Sequence, residues 1–230
     1  MTEAAAEKKA RTVLRRLERI YPLDEHPGRL PLVDELVCTI LSQNTTDRAR
    51  DQAFERLREG YPTWDAVRDA PVEEVEVAIR VCGLANQKAP RIQAALRAAT
   101  ERSGREVSLD FLKEMEPQEA REWLMGLDGV GIKTASIVLL FALDMPALPV
   151  DTHVHRVAGR LGLIEPGTSA EKAHYALEEI VPVTEYLPFH MALIRHGREV
   201  CRARRPRCDA CTLTDLCDWF AAHPEERPAG

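Results

Sequence analysis

The sequence predicts an all-α protein, and two observations carry this prediction. Apolar residues recur at helical spacing through most of the 230-residue chain, for example in "RTVLRRLERIYP", "LVDELVCTILS" and "RIQAALRAATERSG". Glycine and proline close most of these runs, as expected at helix ends. The apolar run "SIVLLFAL" would also suit a strand, but no hairpin turn pair lies near it, so we assign it to a buried helix.

The composition indicates an ordinary globular protein. Hydrophobic residues make up 45% of the chain, which is long enough to bury a core in one domain or two small ones. The first twenty residues carry too many charges for a signal peptide, and no stretch approaches the roughly 18 apolar residues that span a bilayer. We therefore expect a soluble, cytoplasmic protein with no membrane partner.

The charge of the chain is unevenly distributed. The formal net charge of −6 argues against a nucleic-acid partner when taken alone, because binding phosphates needs clustered Lys and Arg. Residues 195–207, however, hold six arginines and one glutamate. A local basic patch on an acidic protein can still bind a phosphate backbone. A solvated loop that keeps the protein soluble is the alternative interpretation.

A glycine-rich turn follows an apolar helical run in "LMGLDGVGIKTA". Gly129 and Gly131 stand two apart, and glycine permits the close approach that lets backbone amides at a helix start bind a phosphate. This pattern predicts a helix-hairpin-helix element, with a plain turn between two packed helices as the alternative. Lys133 follows, and from the residues alone it is a phosphate contact or a surface charge.

Asp151 precedes the next apolar-periodic run, in "PALPVDTHVHRVAGRL", where aspartate is a good N-cap. His153 and His155 are two residues apart and so point to different faces of a helix. We interpret them as polar or core histidines and not as metal ligands.

Four of the six cysteines lie together in "CRARRPRCDACTLTDLC", with Cys-x6-Cys-x2-Cys-x5-Cys spacing. Thiols of an intracellular protein stay reduced, so these four are predicted to be ligands of a metal centre. Four thiolates suit tetrahedral zinc or an iron–sulfur cluster, and the spacing leaves both open. Cys38 and Cys82 lie in apolar helical runs and are interpreted as buried small residues.

Three motifs in this order, "GLDGVGIKTA", "LPVDTHVHRV" and the cysteine spacing, resemble the endonuclease III family of helix-hairpin-helix DNA glycosylases. The resemblance extends from about Leu30 to Phe220. It implies two helical domains flanking a DNA-binding cleft. One is a six-helix barrel with the hairpin, over residues 25–145. The other is an iron–sulfur domain built from residues 1–24 and 146–230.

The resemblance also implies an activity, a cofactor and a partner. The family removes oxidised pyrimidines from duplex DNA and cleaves the abasic site by β-elimination through a lysine Schiff base. Lys133 would be the nucleophile and Asp151 the catalytic carboxylate. A 4Fe-4S cluster would be held by four ligands: Cys201, Cys208, Cys211 and Cys217. We expect a monomer that acts on damaged or abasic double-stranded DNA, at the nucleoid if the cell is bacterial.

Two loops would fill the gap left by an extruded base. In "GLANQKA" the resemblance makes Leu84 an apolar wedge, although from the residues alone a surface-packed leucine is the simpler interpretation. In "ILSQNTTD" the position of the family's glutamine is taken by Asn44, with Gln43 beside it, so both are candidates. Asp128 is a second departure, since the family often has proline there.

The remaining DNA contacts are predicted on the hairpin and the basic loop. The hairpin amides of Gly129, Val130 and Gly131 would bind phosphate, and Arg204 and Arg205 would do so from a loop stiffened by the cluster and Pro206. Two other functions stay open: a monofunctional adenine or mismatch glycosylase, whose family members lack a lysine at position 133, and a binding module without enzymatic activity.

Overall fold

The computed structural model describes residues 2–22 and 29–223, and within them it contains twelve α-helices and no strand. The all-α prediction is confirmed. The run "SIVLLFAL" lies in a buried helix, as predicted. No helix in the described ranges is both long and apolar enough to cross a membrane.

The chain divides into two compact units. The continuous unit is Gly28–Met145, and the discontinuous unit combines Met1–Pro27 with Pro146–Gly230. The domain boundary predicted between residues 24 and 25 lies outside the described residues.

The continuous unit holds seven α-helices around an apolar core. Helices α2 and α8 pack against each other through buried side chains such as Leu36, Ile40, Val138 and Leu139. Threonine caps begin two of the helices: Thr46 accepts from Ala49 N, and Thr63 accepts from Ala66 N. The helices are α2 (Leu32–Ser42), α3 (Asp47–Gly60), α4 (Trp64–Asp69), α5 (Val72–Ile79), α6 (Ala85–Ser103), α7 (Pro117–Met125) and α8 (Ile132–Leu143). Short 3-10 helices cover Arg80–Cys82 and Asp110–Glu114.

The discontinuous unit joins the first helix of the chain to the last third. Helix α1 (Glu3–Glu18) buries Val13, Leu14 and Leu17 on the face that packs against α10 and α11. The other helices of this unit are α9 (Thr152–Arg160), α10 (Ala170–Ile180), α11 (Tyr186–Glu199) and α12 (Asp218–Ala222). Between α11 and α12 the chain forms only short 3-10 turns, at Cys208–Ala210 and Thr214–Leu216.

Ion pairs add to the attachment of α1. Lys9 Nζ lies 2.8 Å from Asp218 Oδ1, and Arg16 forms a two-pronged pair with Asp215. Arg16 also donates to the carbonyl of Thr212 at 3.0 Å. The first and last helices of the chain are thereby joined in one unit.

Candidate functional site

The helix-hairpin-helix prediction corresponds to α7, the turn of residues 126–131, and α8. Gly129 has φ +75°, a left-handed conformation that favours glycine, and a β-carbon there would lie 2.5 Å from Arg91 Cδ. Val130 is buried and its amide donates to Leu127 O at 3.1 Å, so part of the turn's hydrogen bonding is internal. Gly131 is the N-cap of α8.

Lys133 occupies the second position of α8 and is exposed. Its neighbours Ile132 and Thr134 are buried, so the helix is fixed by the residues on either side of the lysine. The amine is therefore held at the surface on a rigid helix start. The backbone amides of this first turn have no hydrogen-bond partner within the helix.

Asp128, the departure from the family's proline, makes an ionic contact in this chain. Its carboxylate lies 3.7 Å from Arg91 Nε, which belongs to α6. The carboxyl is 78% exposed, so the contact contributes little to stability. It does place the guanidinium against the turn, where Arg91 also covers Gly129.

Gln43 and Asn44, the two candidates for filling the gap, differ in the structure. The Gln43 side chain donates through Nε2 to the carbonyl of Gly129 at 2.9 Å, so it is tied to the hairpin. Asn44 is exposed and has φ +51°, a left-handed conformation that asparagine tolerates better than most residues. Of the two, Asn44 is the exposed one.

Leu84 lies in the loop between α5 and α6. It is 43% exposed and has φ +51° and ψ +31°, a left-handed conformation that is unfavourable for leucine. Its carbonyl accepts from the amides of Gln87 and Lys88 at 2.9 Å, which begins α6. The Leu84 side chain is thus exposed from a strained backbone position at a helix start. Strained backbone is found at many functional sites.

Lys88, four residues on, is one of the largest fully buried side chains in the described part of the chain. Its ammonium donates to the carbonyls of Leu41 at 2.8 Å and Cys82 at 3.1 Å, and lies 3.6 Å from Cys82 Sγ. Burial lowers the pKa of Lys88, and the neighbouring Cys82 opposes that shift.

The three loops described above, residues 43–44, 83–84 and 126–131, are together called the hairpin corner below.

Asp151 belongs to the discontinuous unit and is the N-cap of α9. Its Oδ1 accepts from Val154 N at 2.7 Å. His155 Nε2 bonds the carbonyl of Thr168 at 2.8 Å, and His153 Nδ1 lies 3.1 Å from an Arg156 nitrogen. Both histidines thus have polar partners within the protein.

The four clustered cysteines lie in the cysteine segment, residues 201–217, and line one pocket. Its empty space, including solvent at the mouth, is about 290 Å³. Other lining side chains include Val200, Pro206, Trp219 and Phe220. As the side chains stand, no group of three or more His, Cys, Asp or Glu in residues 2–22 and 29–223 is placed to hold a metal ion.

The chemistry of these thiols fits an iron–sulfur or metal centre. Cys211 Sγ accepts from Leu213 N, Cys217 Sγ accepts from Phe220 N, and Arg160 donates to Cys201 Sγ at 3.3 Å. Such N–H donors are typical around ligating thiolates.

Without a bound cation the same thiols are poor acids. Burial, with the neighbouring thiols Cys201, Cys217 and Cys208, raises the pKa of Cys211 to about 11, against the Leu213 amide that lowers it. Burial also raises the pKa of Cys217. A cationic centre would reverse this balance, because it stabilises the thiolates that bind it.

The basic loop, residues 202–207 within the cysteine segment, is held at both ends. The amides of Arg202 and Arg207 both donate to Val200 O at 2.9 Å, which closes the loop. Arg204 and Arg205 are exposed at its tip, and Arg205 has φ +51°.

Arg160 on α9 also holds this loop through hydrogen bonds. Its guanidinium donates to the carbonyls of Arg202 at 2.7 Å and Ala203 at 3.1 Å, and it lies 4.7 Å from the centre of the Trp219 ring. One side chain therefore contacts the loop and the Cys201 sulfur.

Lys88 and Arg160 were not among the residues predicted from the sequence. A readable signal existed for Lys88, since it falls on the apolar face of α6 with Ala89, Ile92 and Leu96. Arg160 gives no such signal, because an arginine in the last turn of a helix is common at the surface.

Comparison with known proteins gives the relationship of the chain. The family model described as HhH-GPD superfamily base excision DNA repair protein matches residues 37–183. Endonuclease III of Thermotoga maritima is 34% identical over 214 residues, which cover 93% of this chain and 92% of that protein. Endonuclease III of Escherichia coli K12 is 36% identical over 184 residues, covering 80% and 82%.

Solved structures agree with this relationship. A non-covalent endonuclease III–DNA complex matches with a TM-score of 0.82 at 30% identity, covering 98% of this chain and 99% of that one. A trapped endonuclease III–DNA covalent intermediate matches with a TM-score of 0.82 at 31% identity, covering 97% and 99%. A thermostable thymine-DNA glycosylase, at 23% identity and a TM-score of 0.76, shares the fold, with 95% and 99% covered. The chain therefore belongs to the endonuclease III family of the HhH-GPD superfamily of base excision DNA repair proteins.

Proposed function

We propose that the protein is a bifunctional DNA glycosylase and abasic-site lyase of base excision repair, acting on oxidised pyrimidines in duplex DNA. The observation that carries the proposal is the exposed Lys133 on the first turn of α8, directly after the Gly129–Gly131 turn. A helix start offers unpaired amides to a phosphate, so the amine and a phosphate-binding turn belong to one rigid element.

Lys133 supplies the nucleophile. Its neutral amine attacks C1′ of the damaged nucleotide, a C–N bond forms, and the glycosidic bond breaks with its electrons leaving on the base, which takes up a proton. The resulting secondary ammonium loses a proton, and the C1′–O4′ bond then breaks as the nitrogen lone pair forms a protonated imine and O4′ takes up a proton. Removal of a C2′ proton then expels the 3′ phosphate. Hydrolysis of the imine regenerates the lysine.

Asp151 supplies the carboxylate of the reaction. It takes the proton from the lysine ammonium before attack and stabilises the positive charge that develops on the sugar. Its position as N-cap of α9 supports this role, because the bond from Val154 N at 2.7 Å fixes the carboxylate at the start of the helix.

Damaged or abasic double-stranded DNA is the proposed partner. Gly129 and Gly131 contribute their backbone amides to phosphate binding. Val130 shapes the turn between them, because its own amide is bonded to Leu127 O. Arg204 and Arg205 contribute positive charge. Leu84 and Asn44 fill the space of the extruded base. One solved relative is complexed with DNA and another is trapped in covalent linkage to it, which supports both the partner and the lysine chemistry. Such DNA lies in the chromosome, so the proposed location is the nucleoid if the cell is bacterial.

A 4Fe-4S cluster is the proposed cofactor of the cysteine segment, with Cys201, Cys208, Cys211 and Cys217 as ligands. When bound, it supplies a covalent cross-link among short turns that bury few apolar side chains. Arg160 and the amides of Leu213 and Phe220 then donate to the ligand sulfurs.

Borohydride trapping tests this function. Incubation with an abasic duplex and borohydride should give a covalent protein–DNA adduct, and a panel of duplexes should show excision of oxidised pyrimidines. Lys133→Gln should form no adduct, and Lys113→Gln is its matched control, since Lys113 is another exposed lysine of the continuous unit and pairs with Asp110. Excision without an adduct would indicate a monofunctional glycosylase, and binding without excision or an adduct would indicate a binding module.

A further inference from the structure

The three loops of the hairpin corner share an unusual backbone. Asn44, Leu84 and Gly129 all have φ between +51° and +75°. In the described part of the chain only four non-glycine residues have positive φ, and Asn44 and Leu84 are two of them. Such conformations persist only where the surrounding structure fixes them. The side chains that fix these loops are therefore part of the site.

Lys88 joins the first two loops. Its ammonium bonds the carbonyl of Leu41, three residues before Asn44, and the carbonyl of Cys82, two residues before Leu84. Neither of these partners is a carboxylate. The first carbonyl lies in the last turn of α2, where carbonyls lack helical partners and the helix dipole favours a cation.

A buried ammonium is a poor choice for packing alone. Taking the charge out of water is costly, and an apolar side chain of similar length would fill the same space without that cost. What an apolar side chain cannot do is bond two carbonyls from separate segments at once. The position of Lys88 is thus explained by the segments it joins.

Gln43 joins the second pair of loops. It directly precedes Asn44, and its side-chain amide bonds the carbonyl of Gly129 in the hairpin turn. Together the two side chains connect all three loops through the end of α2.

We propose that Lys88 and Gln43 are positioning residues that hold the loops of Asn44, Leu84 and Gly129 as one preformed surface for the lesion. The proposal rests on the proposed function, since it concerns how that site extrudes a nucleotide. Extrusion is itself unfavourable, and loops that had to order on binding would add to its cost. With both links in place, the wedge, the polar filler and the phosphate-binding turn meet the DNA already in register.

The test compares Lys88→Met and Gln43→Met with Gln93→Met. Gln93 is a matched control: it is also a buried polar residue on α6, and it bonds two carbonyls, of Val67 at 2.9 Å and Ala70 at 2.7 Å, away from the three loops. For each variant we would measure the thermal midpoint and the affinities for a duplex with a tetrahydrofuran abasic analogue and for the undamaged duplex.

The deciding quantity is the ratio of the affinity for the analogue duplex to the affinity for the undamaged duplex. We expect Lys88→Met and Gln43→Met to lower it by about tenfold or more, because misplacement by an ångström can cost a factor of that order or larger. Gln93→Met should lower the thermal midpoint and leave the ratio unchanged. 2-Aminopurine fluorescence beside the lesion should fall with the ratio, which a general loss of stability would not produce.

Equal ratios for Lys88→Met and Gln93→Met would reduce Lys88 to a core residue and overturn its role. If Lys88→Met does not fold, Gln43→Met decides alone, and an unchanged ratio there overturns the proposal. A wild-type protein that does not prefer the analogue would overturn it too. The analogue forms no imine, so failure of borohydride trapping with a normal ratio would count against the proposed function alone.

Discussion

The hairpin corner and the cysteine segment both fix short irregular chain, and they do so by different means. In the hairpin corner, buried Leu127 and Val130 and the hydrogen bonds of Lys88 and Gln43 hold the loops with groups of the protein itself. In residues 201–223, all of which are described, Leu213 is the one buried hydrophobic residue. The first region is held by groups of the chain itself, whereas the second is the proposed site of a bound centre that would hold its turns together.

Lys133→Gln should give the largest effect, and only on chemistry. We expect loss of borohydride trapping and of strand cleavage, because the amide has no nucleophilic amine. The thermal midpoint and the affinity for an abasic duplex should stay near wild type, since the hairpin glycines remain. Residual lyase activity at the wild-type level would show that Lys133 is not the nucleophile.

Asp151→Asn should lower base excision by roughly 10²–10⁴-fold, the range typical for loss of a catalytic acid or base. Asparagine still caps α9 through its side-chain oxygen, so the fold should persist and DNA binding should be kept or improved. Asp151→Ser is the matched variant, because serine also caps a helix without charge. If single-turnover excision is normal in both variants, Asp151 is a cap and nothing more.

Cys208→Ser should separate the two regions most clearly. We expect loss of the visible absorption of an iron–sulfur protein and faster proteolysis within residues 201–223, because ligand binding here is also folding energy. Cys82→Ser is the control, since Cys82 is a buried thiol outside the cysteine segment. This variant should keep the absorption. Zinc in anaerobically purified protein would overturn the cluster assignment.

Neutralising Arg204 and Arg205 together should have a smaller, ionic effect. The slope of log affinity against log salt should shrink by up to about two units, one for each phosphate that is no longer neutralised by an arginine. Cluster absorption and single-turnover excision at saturating protein should not change. Replacing the exposed Arg56 and Arg105 removes equal charge elsewhere and should leave the slope as it was. If the variant of Arg204 and Arg205 keeps the wild-type slope, the basic loop does not bind phosphate.

Leu84→Gly should change stability least, and in the stabilising direction. Relief of the left-handed leucine is worth about 1–2 kcal/mol and the added freedom of the unfolded chain offsets about half of it, for a gain of up to about 1 kcal/mol in unfolding free energy. Lesion-specific affinity should fall because the wedge is gone. Asp144→Gly, at another exposed residue with φ +52°, is the control for relief of backbone strain; it also removes an exposed ion pair with Arg29, which contributes little to stability. A destabilised Leu84→Gly would mean that the leucine is a packing residue.

Local sequence patterns predicted the helices and the turn better than the links between them. Helical periodicity gave the all-α fold, and the glycine pair gave the hairpin, because both depend on residues close in sequence. The bond from Gln43 to Gly129 joins positions 86 residues apart, and that from Lys88 to Leu41 joins positions 47 apart. No local pattern encodes such pairings.

The candidate site shows the same limit. Gly129, Gly131 and the cysteines were found by spacing, and Lys133 and Asp151 gained their roles from family resemblance. Whether Gln43 or Asn44 is exposed depends on the loop conformation after α2, which no periodicity specifies. A lysine on the apolar face of α6 was the readable clue to the bonded network.

The pairing of α1 with the last helix constrains the order in which the protein matures during synthesis. The continuous unit, Gly28–Met145, is one uninterrupted stretch of chain, so it can fold once it has left the ribosome. Lys9 and Arg16 must wait for Asp218 and Asp215, which are translated about two hundred residues later. Helix α1 therefore docks only after later parts of the chain have been made, and its apolar face stays uncovered until α10 and α11 have been translated.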